Sequence, residues 1–197
     1  MSRQNWTEQR VSGIVVENDE RHKNQRNRSI QQMMTGEKYE KRAEAIRKRP
    51  WALQLLRGGN KILTAVTYGA YILLLAAEAI RRDEKFFKVL LIPAAVFVLV
   101  TVFRKICNAK RPYELLDIEP LLKRNKVGQS FPSRHAFSIF MIAMAIGYVW
   151  RPGGILFLIL GGLLAVIRVV GGVHFPRDVA AGAALGILAG ILGFYIW

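Results

Sequence analysis

Apolar residues in this chain are gathered into runs, and that clumping leaves few folds open. The runs cover roughly 62–80, 86–103, 135–150, 155–170 and 179–197. A helix needs about 20 apolar residues to cross the ~30 Å hydrocarbon layer of a bilayer, and each run approaches or reaches that length. The fold class expected is therefore all-α, a polytopic transmembrane helical bundle of about five spans, multi-pass in the cell membrane. Hydrophobic residues make up 52% of the chain, only slightly more than usual, so their grouping decides the class and not their number. Gly182, Gly186 and Gly190 recur every fourth residue on the last run, a small-residue face that lets a neighbouring helix come close.

Residues 1–50 read as a basic polar arm ahead of a membrane domain at 51–197. In the arm, 37–49 is expected to be helical, with Glu37–Lys41 and Glu44–Lys48 as i,i+4 pairs. The segment RHKNQRNR at 21–28 is expected to be mobile, with His22 solvated. No cleavable leader is expected, because the first fifty residues lack an apolar h-region. Residues 51–56 are short and amphipathic, suited to the membrane interface. Glu78 is expected to reach the headgroups or Arg81 and Arg82, and a short helix is predicted around 119–124. Cys107 is the single cysteine, which excludes an intrachain disulfide.

The formal charge is +15. In a soluble protein that would suggest nucleic acid. Here the basic residues flank apolar runs instead of lining an aromatic-rich soluble face, so no nucleic-acid partner is expected. Anionic headgroups and a phosphorylated ligand fit the charge better.

Span order says where the polar residues meet. Arg104 leaves span two, His135 enters span three, Arg168 leaves span four and Asp178 enters span five. All four ends lie on one membrane face, so three segments converge there: Arg104 to Pro112, Phe131 to His135, and Arg168 to Asp178. Ionisable groups at span ends are costly in lipid and mark a functional site. Guanidinium groups grip a phosphate bidentately, Ser133 can add its hydroxyl, and a helix start adds backbone N–H donors. Asp178, four residues after His174, can hold one ring nitrogen and leave the other nucleophilic. His135 would then protonate the leaving oxygen, in a transfer whose charge the cations stabilise.

These segments resemble the three signature motifs of the type-2 phosphatidic acid phosphatase superfamily, integral-membrane lipid phosphatases related to vanadium haloperoxidases and bacterial acid phosphatases. The family patterns are Lys-x6-Arg-Pro, Pro-Ser-Gly-His and Ser-Arg-x5-His-x3-Asp. Arg111-Pro112, Pro132-Ser133, His135, Arg168, His174 and Asp178 match at the right spacing, and the resemblance covers about residues 60–197. It implies His174 as nucleophile, Asp178 as its partner and His135 as general acid. It also implies Arg104, Arg111, Ser133 and Arg168 as phosphate ligands, with no metal and no other cofactor. The sequence departs from the patterns at three positions. Arg104 replaces lysine and keeps the charge. Arg134 replaces glycine, and either points away or adds a cation to the phosphate-binding set. Ile167 replaces serine and removes a polar contact.

The expected partners are the bilayer and a lipid phosphate: phosphatidic acid, phosphatidylglycerol phosphate or a polyprenyl mono- or diphosphate. Many bacterial members of the family turn the site outward, whereas the excess of Lys and Arg on the site face favours the cytoplasm. Oligomeric state has no signature in the sequence. Two rival readings are a metal-dependent hydrolase using His135, His174 and Asp178, and a non-catalytic anion-binding or transport protein on the same scaffold.

Overall fold

The computed structural model describes residues 35–123 and 127–196; the segment at 21–28, with His22, lies outside them. The described residues contain helices and no strand. Helix α1 occupies 35–47. It is followed by α2 (Pro50–Arg81), α3 (Lys85–Cys107), the single turn α4 (Pro112–Leu115), α5 (Arg134–Val149), α6 (Arg151–Val170) and α7 (Pro176–Ile191). A π-helical turn, Leu192–Ile196, extends α7. Pro50, Pro112 and Pro176 each open a helix, where the missing N–H costs nothing and the fixed φ suits the first turn.

Among the described residues, four helices are long and apolar enough to cross a membrane: α2, α3, α6, and α7 with its π turn. The remaining predicted span, α5, has 16 residues and at 1.5 Å per residue reaches only ~24 Å. It does not have to face lipid along its length. Ten of its residues, among them Phe137, Ile139 and Met141, are buried, and it packs chiefly on α6 and α7, with α2 and α3 on its other sides. Phe137, Met141 and Ala145 join Val89, Val100 and Phe194 in the largest apolar cluster. The bundle is thus built around its shortest membrane helix.

Two local expectations are corrected. The 51–56 segment does not form a separate interfacial piece: it is the start of α2, which continues without a break for 32 residues. At ~48 Å that helix is longer than the ~30 Å hydrocarbon layer, and Trp51 and Leu55 in its first turns are exposed. The predicted helix at 119–124 is absent from 119–123, and the turn of helix lies earlier, at α4. Side chains from elsewhere bond the backbone of this stretch instead. Glu119 N–H donates to Glu40 Oε1 (2.7 Å), Leu121 N–H to the Tyr39 hydroxyl (3.4 Å), and Arg57 Nε donates to the Leu121 carbonyl (3.0 Å). These bonds replace those a helix would make internally. Of the two reaches expected for Glu78, the one to Arg81 forms: the carboxylate is 1% exposed and lies 3.9 Å from Arg81 Nη1.

The pairs Glu37–Lys41 (2.8 Å) and Glu44–Lys48 (2.9 Å) form on α1. The small-residue face of α7 also forms, and lies against α5. A Cβ on Gly182 would sit 2.5 Å from the Ser133 carbonyl oxygen, and one on Gly186 2.8 Å from that of Phe137. Backbone cannot yield there as a side-chain end could. Gly186→Leu is therefore expected to destabilise the detergent-solubilised protein by at least the ~1–3 kcal/mol typical of overpacking. Gly162→Leu, on a glycine with open space around it, should leave the thermal midpoint nearly unchanged. Equal midpoints for the two variants would contradict this packing.

Candidate active site

The three polar segments meet where α3 and α6 end and α5 and α7 begin. Ser133 N–H donates to the Asp178 carbonyl at 2.8 Å, and Ser130 N–H to that of Ala109 at 2.8 Å. Arg111 Nη1 donates to the Val173 carbonyl (3.3 Å) and its Nε to that of Gly128 (2.9 Å). Arg104 donates from its two terminal nitrogens to the carbonyls of Pro132 and Gln129. Glu114 Oε2 accepts from the N–H groups of Arg111 and Gly128, each at 2.8 Å, and so ties α4 to the loop before α5. Gly172, at φ +73°, takes the left-handed conformation that turns the chain from α6 towards His174. A Cβ there would strike the Tyr39 hydroxyl, so α1 packs directly over this turn.

These loops enclose a cup of about 130 Å³, lined by Arg104, Arg111, Arg134, Arg168, His135 and His174. Arg134 does not point away from the cup but lines it. Lys123, which the motifs did not single out, also faces the cup. Ser133 is fully buried at the head of α5, and its Oγ has no hydrogen-bond partner among the described residues. The same is true of the buried Arg168 Nε, while its Nη1 donates to Asn60 Oδ1 at 3.2 Å. A guanidinium has five N–H donors, more than Arg104 or Arg111 spends on the loop carbonyls. Those bonds fix the planes of the groups and leave donors for an anion. Ile167, at the position where the family pattern has serine, packs into the apolar clusters beside Leu164 and Val173.

His174 and Asp178 are buried side by side, with Nδ1 3.8 Å from Asp178 Oδ2. That carboxylate oxygen also accepts from Ser130 Oγ at 2.5 Å and from Phe175 N–H at 3.1 Å. Asp178 Oδ1 faces Arg177 Nε at 3.6 Å. With Nδ1 turned to the carboxylate, Nε2 is the ring nitrogen left to act in the cup. Burial lowers the His174 pKa to about 4; Arg168 and Arg111 act in the same direction, and Asp178 opposes them. The imidazole is therefore neutral, and its lone pair free, throughout the physiological range.

Ser130 escaped the sequence analysis. It is fully buried, bonded to Asp178, and 3.4 Å from His174 Nδ1. Its place three residues before Ser133 belongs to no acid–base or ligand spacing, so nothing in GQSFPSRH separated it from an ordinary loop serine. Asn60 was likewise unreadable, since it meets Arg168 from a helix 108 residues away.

Residues 85–197 match the PAP2 superfamily. The chain belongs to that family. It is 33% identical over 103 residues to the bacitracin transport permease protein BcrC of Bacillus licheniformis, a match covering 50% of this chain and 51% of the relative. The chain thus spans about half the length of that protein. Among solved structures, LpxE of Aquifex aeolicus is similar at 27% identity and a TM-score of 0.58, over 72% of this chain and 91% of LpxE. A PAP2-type phosphatidylglycerolphosphate phosphatase of Bacillus subtilis shares the fold at 22% identity and a TM-score of 0.59, over 81% and 83% of the two chains. With its multiple apolar helices, the chain is a multi-pass membrane protein of the PAP2 family.

The His174 environment sets a pH dependence. Its folded pKa lies below the ~6.5 of a free histidine, so the neutral form favours folding. That contribution is complete above about 6.5 and is lost as pH falls towards 4. For turnover, the acid limb of kcat/KM, which reports the free enzyme, is expected near pH 4. A limb at 6.5 would mean that His174 is not the group titrating. Ser130→Ala should raise that limb or lower kcat by about tenfold or more with little change in KM, and Ser130→Thr should restore part of the loss.

Proposed function

We propose that this protein is a metal-independent lipid phosphatase that hydrolyses a phosphomonoester or diphosphate of a lipid through a phosphohistidine intermediate. One observation carries the reading: an imidazole backed by a buried carboxylate opens into a cup faced by guanidinium groups. His174 Nε2 attacks phosphorus, and the bond from phosphorus to the leaving oxygen breaks. His135 supplies that oxygen with a proton. Water then attacks the phosphohistidine, releasing inorganic phosphate and restoring the imidazole. Arg104, Arg111, Arg134 and Arg168 hold the equatorial oxygens, with Ser133 and the N–H groups at the head of α5. Guanidinium charge does here what metal ions do at other phosphoryl-transfer sites. Among the described residues, no three His, Cys, Asp or Glu side chains are grouped as a metal cage, and the cations lining the cup would repel a divalent ion.

One solved protein that shares this fold is a phosphatidylglycerolphosphate phosphatase; the substrate proposed here is likewise a lipid phosphate. The site's position at one end of the bundle suits a phosphate at headgroup depth. His174→Ala is expected to lower phosphate release from a lipid phosphate by at least about a thousandfold with the bundle still folded, and Asp178→Asn by about a hundredfold or more. Vanadate should inhibit and EDTA should not. Loss of activity in EDTA would support the metal-dependent alternative, and full turnover by His174→Ala would exclude the mechanism.

The site face also carries Lys38, Lys41, Arg42, Arg47, Lys48, Arg49, Lys105 and Lys110, against Arg81, Arg82, Lys85, Lys88 and Arg151 at the other end. This bias favours a cytoplasmic site. Cys107, exposed at the site end of α3, supplies a native probe. In intact cells it should resist a membrane-impermeant maleimide and react once the cells are opened; labelling in intact cells would reverse the orientation.

A further inference from the structure

The stretch 119–123 is neither helix nor strand, yet its backbone donors from 119 to 122 all have partners. Glu119 N–H donates to Glu40 Oε1 and Leu121 N–H to the Tyr39 hydroxyl. Leu122 N–H donates to the Gly171 carbonyl at 3.2 Å, and Pro120 has no N–H to place. Two carbonyls are met as well: Arg47 Nη2 donates to that of Glu119 and Arg57 Nε to that of Leu121. Glu40 and Arg47 pair with each other at 2.9 Å, so one ion pair on α1 grips both backbone groups of Glu119. Leu121 and Leu122 are buried. Connecting segments are usually the loose parts of a fold, whereas this one is mounted on α1, α2 and the turn after α6. What it carries is Lys123, whose exposed side chain lines the cup.

On the phosphatase reading, we propose that Lys123 is a further catalytic residue, its ammonium contacting the phosphoryl group during transfer, and that Glu40 and Tyr39 of α1 are the positioning residues that hold it at the cup. Three of the other cations are tied to protein oxygens: Arg104 and Arg111 to loop carbonyls, and Arg168 to Asn60. Their planes are set before an anion arrives and do not turn with its charge. An ammonium is compact, carries three donors and rides on a flexible stem. With its backbone fixed and its side chain free to swing, Lys123 can follow negative charge from the equatorial oxygens to the leaving oxygen. An interaction that strengthens towards the transition state raises kcat, where uniform binding only lowers KM.

Lys123 itself exchanges no bond and keeps its proton. Phosphorus passes to His174 Nε2, and the leaving oxygen keeps its electron pair and takes a proton from His135. No motif marks Lys123, and α1 lies ahead of the residues, 85–197, that match the family. The cation is brought to the cup by contacts across this chain's own fold.

The test measures kcat and KM for phosphate release by full-length protein in a non-ionic detergent, on whichever of phosphatidic acid and farnesyl diphosphate the wild type turns over faster. Lys123→Gln is expected to lower kcat by about tenfold or more, with a smaller change in KM and an unchanged thermal midpoint. Lys123→Arg should restore part of the loss. An unchanged kcat, or a loss confined to KM, would overturn the catalytic role. Glu40→Leu removes the acceptor for Glu119, and Tyr39→Phe keeps the ring against Gly172 while removing the hydroxyl. Each should lower kcat alone and add little beside Lys123→Gln, because a residue that acts through Lys123 has no effect once the ammonium is gone. Equal losses in both backgrounds would refute the positioning role, and Tyr39→Phe decides it if Glu40→Leu fails to fold. If the wild type releases phosphate from neither lipid, the phosphatase reading falls. The Lys123 contact is then judged by orthovanadate binding: about tenfold weaker binding in Lys123→Gln supports it, and equal binding refutes it.

Discussion

Among the described residues, five cationic side chains face one small cup, and none of the groups lining it is a carboxylate. Like charges so close repel one another, and the repulsion is least screened where water is excluded. The rest of the site follows from how the fold holds them there. Arg104 and Arg111 are fixed through loop carbonyls contributed by residues 128, 129, 132 and 173, so the cations themselves bind together the segments that carry them. The nearest buried negative charge, Asp178, stands behind His174 and outside the cup. The arrangement keeps the carboxylate for the imidazole and leaves the cup short of negative charge. An anion entering it relieves the repulsion and adds to stability by linkage.

Such a site has to be held by something stiffer than loops. α1 supplies part of the support, through Glu40 and Tyr39 bonded to the 119–121 backbone and through Tyr39 against Gly172. Leu122 and Val173, with Tyr113 and Ile118, form a small apolar cluster over the loops. The basic segment ahead of the first span thus contributes more than charge at the membrane surface. Its last turns brace the segment that carries Lys123 and the turn that carries His174.

The sequence shows the spans and the short-range polar pairings for a physical reason. Apolar runs are dictated by lipid, and His174 with Asp178, or Arg104 with Arg111, lie within a turn or two of each other, where spacing carries geometry. Contacts across the bundle have no such signature. Asn60 and Ser130 reach the site from positions that obey no local rule, and neither is a residue type that demands explanation when exposed. Helix limits failed where tertiary bonds overrode propensity: the 119–123 stretch exchanges its internal hydrogen bonds for bonds to α1 and α2. Glu78 shows the opposite case: its i,i+3 spacing from Arg81 is local, and that pair forms.

The glycine face of α7 joins packing to chemistry. Read from spacing alone, Gly182 serves only to let two helices approach. In the fold it lies opposite the Ser133 carbonyl at a separation no side chain could share, and Ser133 N–H reaches the carbonyl of Asp178 on the same side of α7. The residue at the head of α5 and the carboxylate behind His174 are therefore held together by a close backbone contact between their helices. A larger residue at 182 would push Ser133 away from the Asp178–His174 pair. A stripe that lipid packing alone would explain thus also sets the distance between the head of α5 and the Asp178–His174 pair.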